Sequence, residues 1–210
     1  MNNDVQMSWL NWGPFVGKFK LEDSIITRLH NDGKKKLQSY HRSLAGHVKR
    51  QVHFNDDTTA WFYKCFQKYF DAYRQGHLEY HGLAKRDIKL TYDSLWANFM
   101  QAGDFNPLHT HGGDYSFVIF VDIPKILKKE QDSFEGTSMV PGSLAFEYGT
   151  QSRPPWASTG HWITPETGDF FIFPALLQHW VVPYKTKCTR VSVSGNLTIV
   201  NRHELPQNYF

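Results

Sequence analysis

Cysteine is scarce in this 210-residue chain: there are two, Cys65 and Cys188, far apart and in no CxxC spacing. That excludes a disulfide framework and a thiolate zinc site, and a reducing, intracellular setting is expected. No stretch of 18 apolar residues occurs, and the first thirty residues carry Asp4, Glu22 and Asp23 where a secretory leader would be apolar. Neither a membrane span nor a signal peptide is therefore expected, and the reading is a soluble, cytoplasmic protein. Charge of one sign is lacking too: 23 basic against 20 acidic residues leave a net +3, too balanced for a nucleic-acid partner. The short runs Lys34-Lys35-Lys36 and Lys128-Lys129 read as solvated faces. Internal repeats and low-complexity segments are absent.

Aromatic residues are plentiful: 16 Phe, 10 Tyr and 7 Trp make up 16 % of a chain that is 40 % hydrophobic. Such a chain has ample apolar surface to offset its ordering entropy, so disorder is excluded. The length fits a single domain over 1–210, with 1–85 mainly helical and 86–201 mainly β. Over 21–44, Ile25, Ile26, Leu29, Leu37 and Leu44 predict one helix face, interrupted by Gly33. Over 57–83, Trp61, Phe62, Cys65, Phe66, Tyr69, Phe70 and Tyr73 recur at three- and four-residue steps, with Asp56 or Asp57 as N-cap. That aromatic stripe reads as core. After residue 85, short Val-, Ile-, Phe- and Tyr-rich runs at 90–100, 115–123, 142–148, 169–173, 180–184 and 190–200 are separated by Gly, Pro, Asn and Asp. They predict a β-sandwich or barrel with the helices packed on one sheet. The polar, Pro-rich connection over 147–165, carrying Trp156 and Trp162, reads as a lid or as a hairpin tip.

Two segments carry chemistry. In Asn106-Pro107-Leu108-His109-Thr110-His111-Gly112-Gly113-Asp114, positions i and i+2 of an extended chain share a face, so His109 and His111 aim into one cavity. Imidazole suits iron, copper, zinc and nickel alike, so this spacing leaves the metal open. Later, Gly168-Asp169-Phe170-Phe171-Ile172-Phe173-Pro174 is followed by His179 and then by the strand that begins at Arg190. Alternation places Arg190, Ser192 and Ser194 on one face and Val191 and Val193 on the other. A cation and hydroxyls inside a barrel are costly unless they bind something, and a guanidinium fork matches a carboxylate. Trp96, Asn98 and Met100 alternate likewise, with Asn98 as a cavity-lining candidate. His53, His77, His81 and His161 read as surface or packing residues.

Over roughly residues 90–200, FNPLHTHGGDYSFVIFVDIP, GDFFIFPALLQHWVVPY and RVSVSGN together resemble the iron(II)/2-oxoglutarate oxygenase superfamily. The likeness is to a branch seen in bacteriophages and marine bacteria and related to prolyl hydroxylases. It implies a double-stranded β-helix (jelly-roll, cupin-like) core and Fe(II), 2-oxoglutarate and O₂ as cofactor and co-substrates. It also implies hydroxylation of an unactivated C–H bond, with a prolyl or other peptide or protein residue as candidate substrate. A phage-borne copy would act in the host cytoplasm. Carried over by position, His109 is the first metal ligand, His179 the distal one, Arg190 the anchor of the co-substrate carboxylate and Ser192 its hydroxyl partner. Phe120 stands where related enzymes often have a tyrosine that binds 2-oxoglutarate. The superfamily's Asp or Glu ligand is replaced by His111, with Asp114 three residues on. Either a three-histidine site forms, or Asp114 reaches back across Gly112-Gly113, whose glycines permit such a turn, or Asp114 merely caps that turn. Strand geometry favours His111. Two other readings stay open: a cupin-like dioxygenase that uses no 2-oxoglutarate, and a non-catalytic β-sandwich binding module.

Overall fold

A computed structural model describes residues 13–149 and 160–206. In chain order the elements are β1 (Gly17–Lys20), α1 (Asp23–Lys34), β2 (Gln38–Ser39), β3 (Arg50–His53), α2 (Asp56–Tyr80), β4 (Leu90–Gln101), β5 (Asn106–His109) and β6 (Tyr115–Asp122). They continue with α3 (Lys125–Asp132), β7 (Leu144–Glu147), β8 (Gly160–Ile163), β9 (Asp169–Pro174), β10 (Gln178–Val181) and β11 (Thr189–Ile199). Two antiparallel sheets result, one in the order β1-β9-β6-β11-β4-β3-β2 and one in the order β5-β10-β7-β8. β4 to β11 alternate between them except at the β7–β8 hairpin, which stays in the smaller sheet, and this is the expected double-stranded β-helix; β1, β2 and β3 widen the larger sheet at its two edges.

The larger sheet divides its side chains by parity. Leu95, Ala97 and Phe99 of β4, Phe117 and Ile119 of β6, Phe170 and Ile172 of β9, and Val191 and Val193 of β11 face the helices and join their core. α2 meets them with Phe62, Phe66, Phe70 and Tyr73, each at most 2 % exposed. Phe62 stacks on Phe117 with ring centroids 5.5 Å apart, so the aromatic stripe is core, as its spacing predicts. The opposite face carries Trp96, Asn98, Met100, Phe120, Arg190, Ser192 and Ser194 and looks into the space between the sheets.

The helical reading of the N-terminal third holds for two helices and misses three strands. α1 stops at Lys34 rather than running to Leu44, because Lys34-Lys35-Lys36 offers no apolar position to bury and all three are exposed. The chain then turns extended into β2 and β3, and Leu44 ends up lining the inter-sheet cavity. α2 is capped by Asn55, one residue before the predicted caps: its side chain accepts from Thr58 N at 2.9 Å. α3 was not predicted; it carries Lys128 and Lys129 on its exposed side and buries Leu127. Most of the proposed lid, with Trp156, lies outside the described residues, while Trp162 on β8 is 53 % exposed.

Candidate active site

β5 and β10 are paired antiparallel with His109 opposite His179, and Phe146 of β7 stands on the other side of His179. The backbone therefore sets two imidazoles side by side. His111 lies just past the end of β5, pinned by its N–H to the Ala175 carbonyl at 2.9 Å. The chain then turns through Gly113 at φ 82°, a conformation L side chains avoid, and Asp114 N–H bonds the Leu197 carbonyl at 2.8 Å. That turn sends Asp114 away from the histidines.

The three imidazoles converge: His109, His111 and His179 each offer a ligand atom within 4.8 Å of the others. His109 Nδ1 donates to the Pro107 carbonyl at 2.6 Å and His179 Nδ1 to the Leu177 carbonyl at 2.8 Å. Both rings thus spend their Nδ1–H on backbone and keep an Nε2 lone pair for the cavity, the tautomer a metal ligand needs. His111 Nε2 and His179 Nε2 lie 3.2 Å apart. Two adjacent ligands, each about 2.1 Å from a shared ion, are separated by about that distance. Burial, reinforced by the neighbouring imidazoles, pushes His179 down to about 3 and His111 down to about 4, and burial also lowers His109. All three rings are neutral at pH 7 and able to ligate.

Asp114 is not brought to this cluster. Its carboxylate accepts from Ile199 N at 2.6 Å and pairs with Arg202 at 2.8 Å. It faces a separate groove of about 520 Å³ lined in part by His77, Tyr115 and Leu177. The carboxylate expected as the rival third ligand is committed to a structural clasp, and the three histidines are the group that converges.

Arg190 lies on the same cavity, at 3 % exposure. Its Nη1 donates to the Gly142 carbonyl at 2.7 Å, its Nε is buried with no partner, and no carboxylate among the described residues pairs with it. Burial pushes it down to about 10, so it stays charged at neutral pH. The guanidinium sits 5.3 Å from the centre of the Phe120 ring, so the residue in the tyrosine position is an aromatic support beneath the arginine. A buried cation with spare donors and no counter-charge is costly unless an anion completes it.

Ser192 stands opposite Asn98 across β11 and β4, and Ser194 opposite Trp96. Asn98 does line the cavity, but its amide is engaged with Gln51, Trp96, Ser192 and Ser194. The cavity measures about 60 Å³ and is also bordered by Gln51, Asn106 and the segment from Leu44 to Val48. Those three contributions were missed from sequence. Asn106 lies within the motif that carries His109. Gln51 was legible only to a reader who had taken Arg50-Gln51-Val52-His53 as an alternating strand.

Comparison with known proteins follows from this geometry. Residues 94–196 match the family model described as "Putative 2OG-Fe(II) oxygenase". No curated protein sequence matches the chain. Among solved structures, the chain is similar to the viral collagen prolyl hydroxylase of Paramecium bursaria Chlorella virus-1 in its 2-oxoglutarate complex. There, identity is 14 % and the TM-score 0.53, over 87 % of this chain and 94 % of that one. It is similar also to a Pseudomonas putida prolyl-4-hydroxylase, at 12 % identity and TM-score 0.54, over 87 % and 91 % of the two chains. A third likeness is to a Trichoplax adhaerens prolyl hydroxylase bound to a peptide of the hypoxia-inducible factor oxygen degradation domain. It stands at 11 % identity and TM-score 0.51, over 90 % and 84 % of the two chains. These structures share the fold.

Proposed function

We propose that this chain is an iron(II)- and 2-oxoglutarate-dependent oxygenase, a reading the family match over residues 94–196 supports, in which His109, His111 and His179 hold the iron and Arg190 the co-substrate. The observation that carries the reading is the pairing, in one cavity, of three neutral converging imidazoles with a buried arginine that lacks a counter-charge. The donor set fits the metal: imidazole nitrogen is a good ligand for iron(II), and a ring of three leaves positions open. Fe(II), O₂ and 2-oxoglutarate together supply the oxidant that hydroxylates an unactivated C–H bond, with release of succinate and CO₂.

The chain's own residues supply orientation and charge. Arg190 takes the distal carboxylate through its free Nε and Nη2 donors while the Gly142 carbonyl fixes its Nη1. Ser192, two residues along on the same strand face, adds a hydroxyl. Phe120, Phe173, Leu144 and Val181 line the cavity with apolar surface and strengthen each polar contact inside it. Three neutral imidazoles add no negative charge, so the metal's two positive charges and that of Arg190 all act on the co-substrate dianion. Binding of 2-oxoglutarate should therefore depend strongly on charge.

The substrate we propose is a prolyl or other residue of a peptide or protein, since the solved relatives are prolyl hydroxylases and one holds a peptide. Among the described residues α1 and α2 pack against the larger sheet, which supports reading 1–85 as bracing the 86–201 core within one domain over 1–210. The test is to supply the iron-loaded protein with 2-oxoglutarate, O₂ and a proline-containing peptide library, measuring succinate and a 16-Da gain on peptide by mass spectrometry. Succinate released in step with peptide oxidation is expected. Oxidation of a peptide without 2-oxoglutarate consumption would contradict the assignment of Arg190.

A further inference from the structure

Arg190 marks a donor-rich end of the cavity; the opposite character gathers around Gln51 and Asn106. Hydrogen bonding fixes which way both amides face. Trp96 Nε1–H donates to Asn98 Oδ1 at 3.1 Å, and an indole N–H can only donate, so that atom is an oxygen. Gln51 reaches the same oxygen at 2.7 Å and must present its NH₂ to it. Asn98 Nδ2 then meets Ser192 Oγ and Ser194 Oγ at 3.4 and 3.2 Å. Gln51 is 3 % exposed, and this network leaves its Oε1 buried without a partner. Asn106 obeys the same logic. In the metal-free protein His109 has given its Nδ1–H to backbone, so its Nε2 is an acceptor and the Asn106 group 3.3 Å from it is the NH₂; a metal ion on Nε2 takes that lone pair and releases Asn106 to bind a ligand. Asn106 Oδ1 is left buried and unpartnered as well.

Two carbonyl oxygens without donors thus sit beside one cavity, and Gly46 lies against both side chains. A methyl built on Gly46 would stand 2.9 Å from Asn106 Oδ1 and 3.2 Å from Gln51 Nε2, so at Asn106 Oδ1 the neighbour is a glycine C–H. A C–H is a poor substitute for N–H at a buried oxygen. Neither 2-oxoglutarate dianion nor O₂ carries an N–H or O–H to offer, and a carboxylate is repelled by carbonyl oxygens. The missing donors belong to the molecule that is oxidised.

We propose that Gln51, with Asn106, is the specificity-determining pair that reads N–H donors of the substrate, so that the enzyme takes an amide-bearing substrate in preference to its ester or free-acid counterpart. This rests on the iron and 2-oxoglutarate reading of the same cavity. The substrate amide gives each orphaned oxygen a hydrogen, at Asn106 in place of the Gly46 contact.

The experiment uses full-length protein loaded with zinc in place of iron and saturated with 2-oxoglutarate, whose own binding is recorded first by calorimetry. N-acetylprolinamide is then titrated against the methyl ester of N-acetylproline, and N-acetylglycinamide against its methyl ester, by saturation-transfer NMR. Amides are expected to bind on the order of tenfold more tightly than the esters on at least one scaffold. Gln51→Met keeps the side chain's length and leaves Asn98 Oδ1 its Trp96 donor; it should abolish the amide preference while 2-oxoglutarate still binds. Asn106→Ala, checked for folding by its melting curve, should reduce the preference in part. Equal binding of amide and ester, no binding by either, or a preference that survives both variants overturns the proposal. A preference confined to the glycine scaffold upholds it while removing the prolyl reading. Failure of 2-oxoglutarate to bind removes the site assignment and the proposal with it.

Discussion

The two faces of the larger sheet are made from the same strands and do opposite work. On the helix side the inward positions of the central strands are apolar, and many rings share the load: Phe62, Phe66, Phe70, Phe117 and Phe170 all pack within one cluster. On the cavity side each position is singular. Arg190, Ser192, Asn98 and Gln51 have particular partners, and several of their atoms have none. One face is held by area removed from water, which tolerates exchange of like for like. The other is held by hydrogen bonds and left incomplete where a ligand finishes it. Parity along a strand is thus the boundary between stability and function in this protein.

The sharpest way to break the comparison is to empty the metal cluster. His179→Ala and His111→Ala should each lose bound iron and all 2-oxoglutarate turnover, read by metal analysis and succinate release, while the thermal melt of the metal-free protein barely moves. Asp114→Ala should keep its iron, since the carboxylate lies across the Gly113 turn on Ile199 N and Arg202. An iron-free Asp114 variant alongside an iron-replete His111 variant would reverse the ligand assignment.

The converse cut falls on the helix face. Phe70 is 1 % exposed and touches Phe117 and Phe170 across the α2–sheet interface. Phe70→Ala should cost about 3–5 kcal/mol of unfolding free energy in denaturant titrations. Iron bound per folded molecule should be unchanged, because no cavity residue is altered. Next in size, Arg190→Met should weaken 2-oxoglutarate by about 2–5 kcal/mol, roughly 30- to 5,000-fold, with iron affinity held. Calorimetric titration of 2-oxoglutarate checks it, and an unchanged affinity would detach Arg190 from the co-substrate.

The same division explains what the sequence disclosed. The helix face was legible because period is a collective signal: Trp61, Phe62, Cys65, Phe66, Tyr69, Phe70 and Tyr73 outline α2 even with its cap misplaced by a residue. Arg190, Ser192 and Ser194 were legible for the same reason, since a long strand states its parity plainly. β3 is four residues long and lies between two helix-like patterns, too short for alternation to stand out, and Gln51 was lost with it. The third ligand was ambiguous because the choice turned on one dihedral. The positive φ of Gly113 sends Asp114 outward, and a Gly-Gly pair by itself permits either course.

The smallest effect separates the faces by proton uptake. Burial holds His179 near 3 in the folded protein, against about 6.5 for a histidine in an unfolded chain. Below that ordinary value the unfolded state binds a proton that the folded state refuses, so the depressed value contributes stability that is full above about pH 6.5 and is lost as pH falls toward 3. The metal-free protein should therefore lose about 1.4 kcal/mol per pH unit through this one group between pH 6 and pH 4. His77, on the helix side and pushed down to about 4, adds a similar loss, as do the other cluster histidines, so the total slope does not isolate the site. His179→Phe does. The ring keeps an aromatic neighbour for Phe146 and Phe173 and removes the titrating nitrogen. Its acid slope, from denaturant titrations at pH 6, 5 and 4, should be shallower than that of wild type by about one proton's worth, 1.4 kcal/mol per pH unit. Parallel slopes would mean that His179 takes up its proton in the folded protein, and that the cluster is wetter than the packing around it implies.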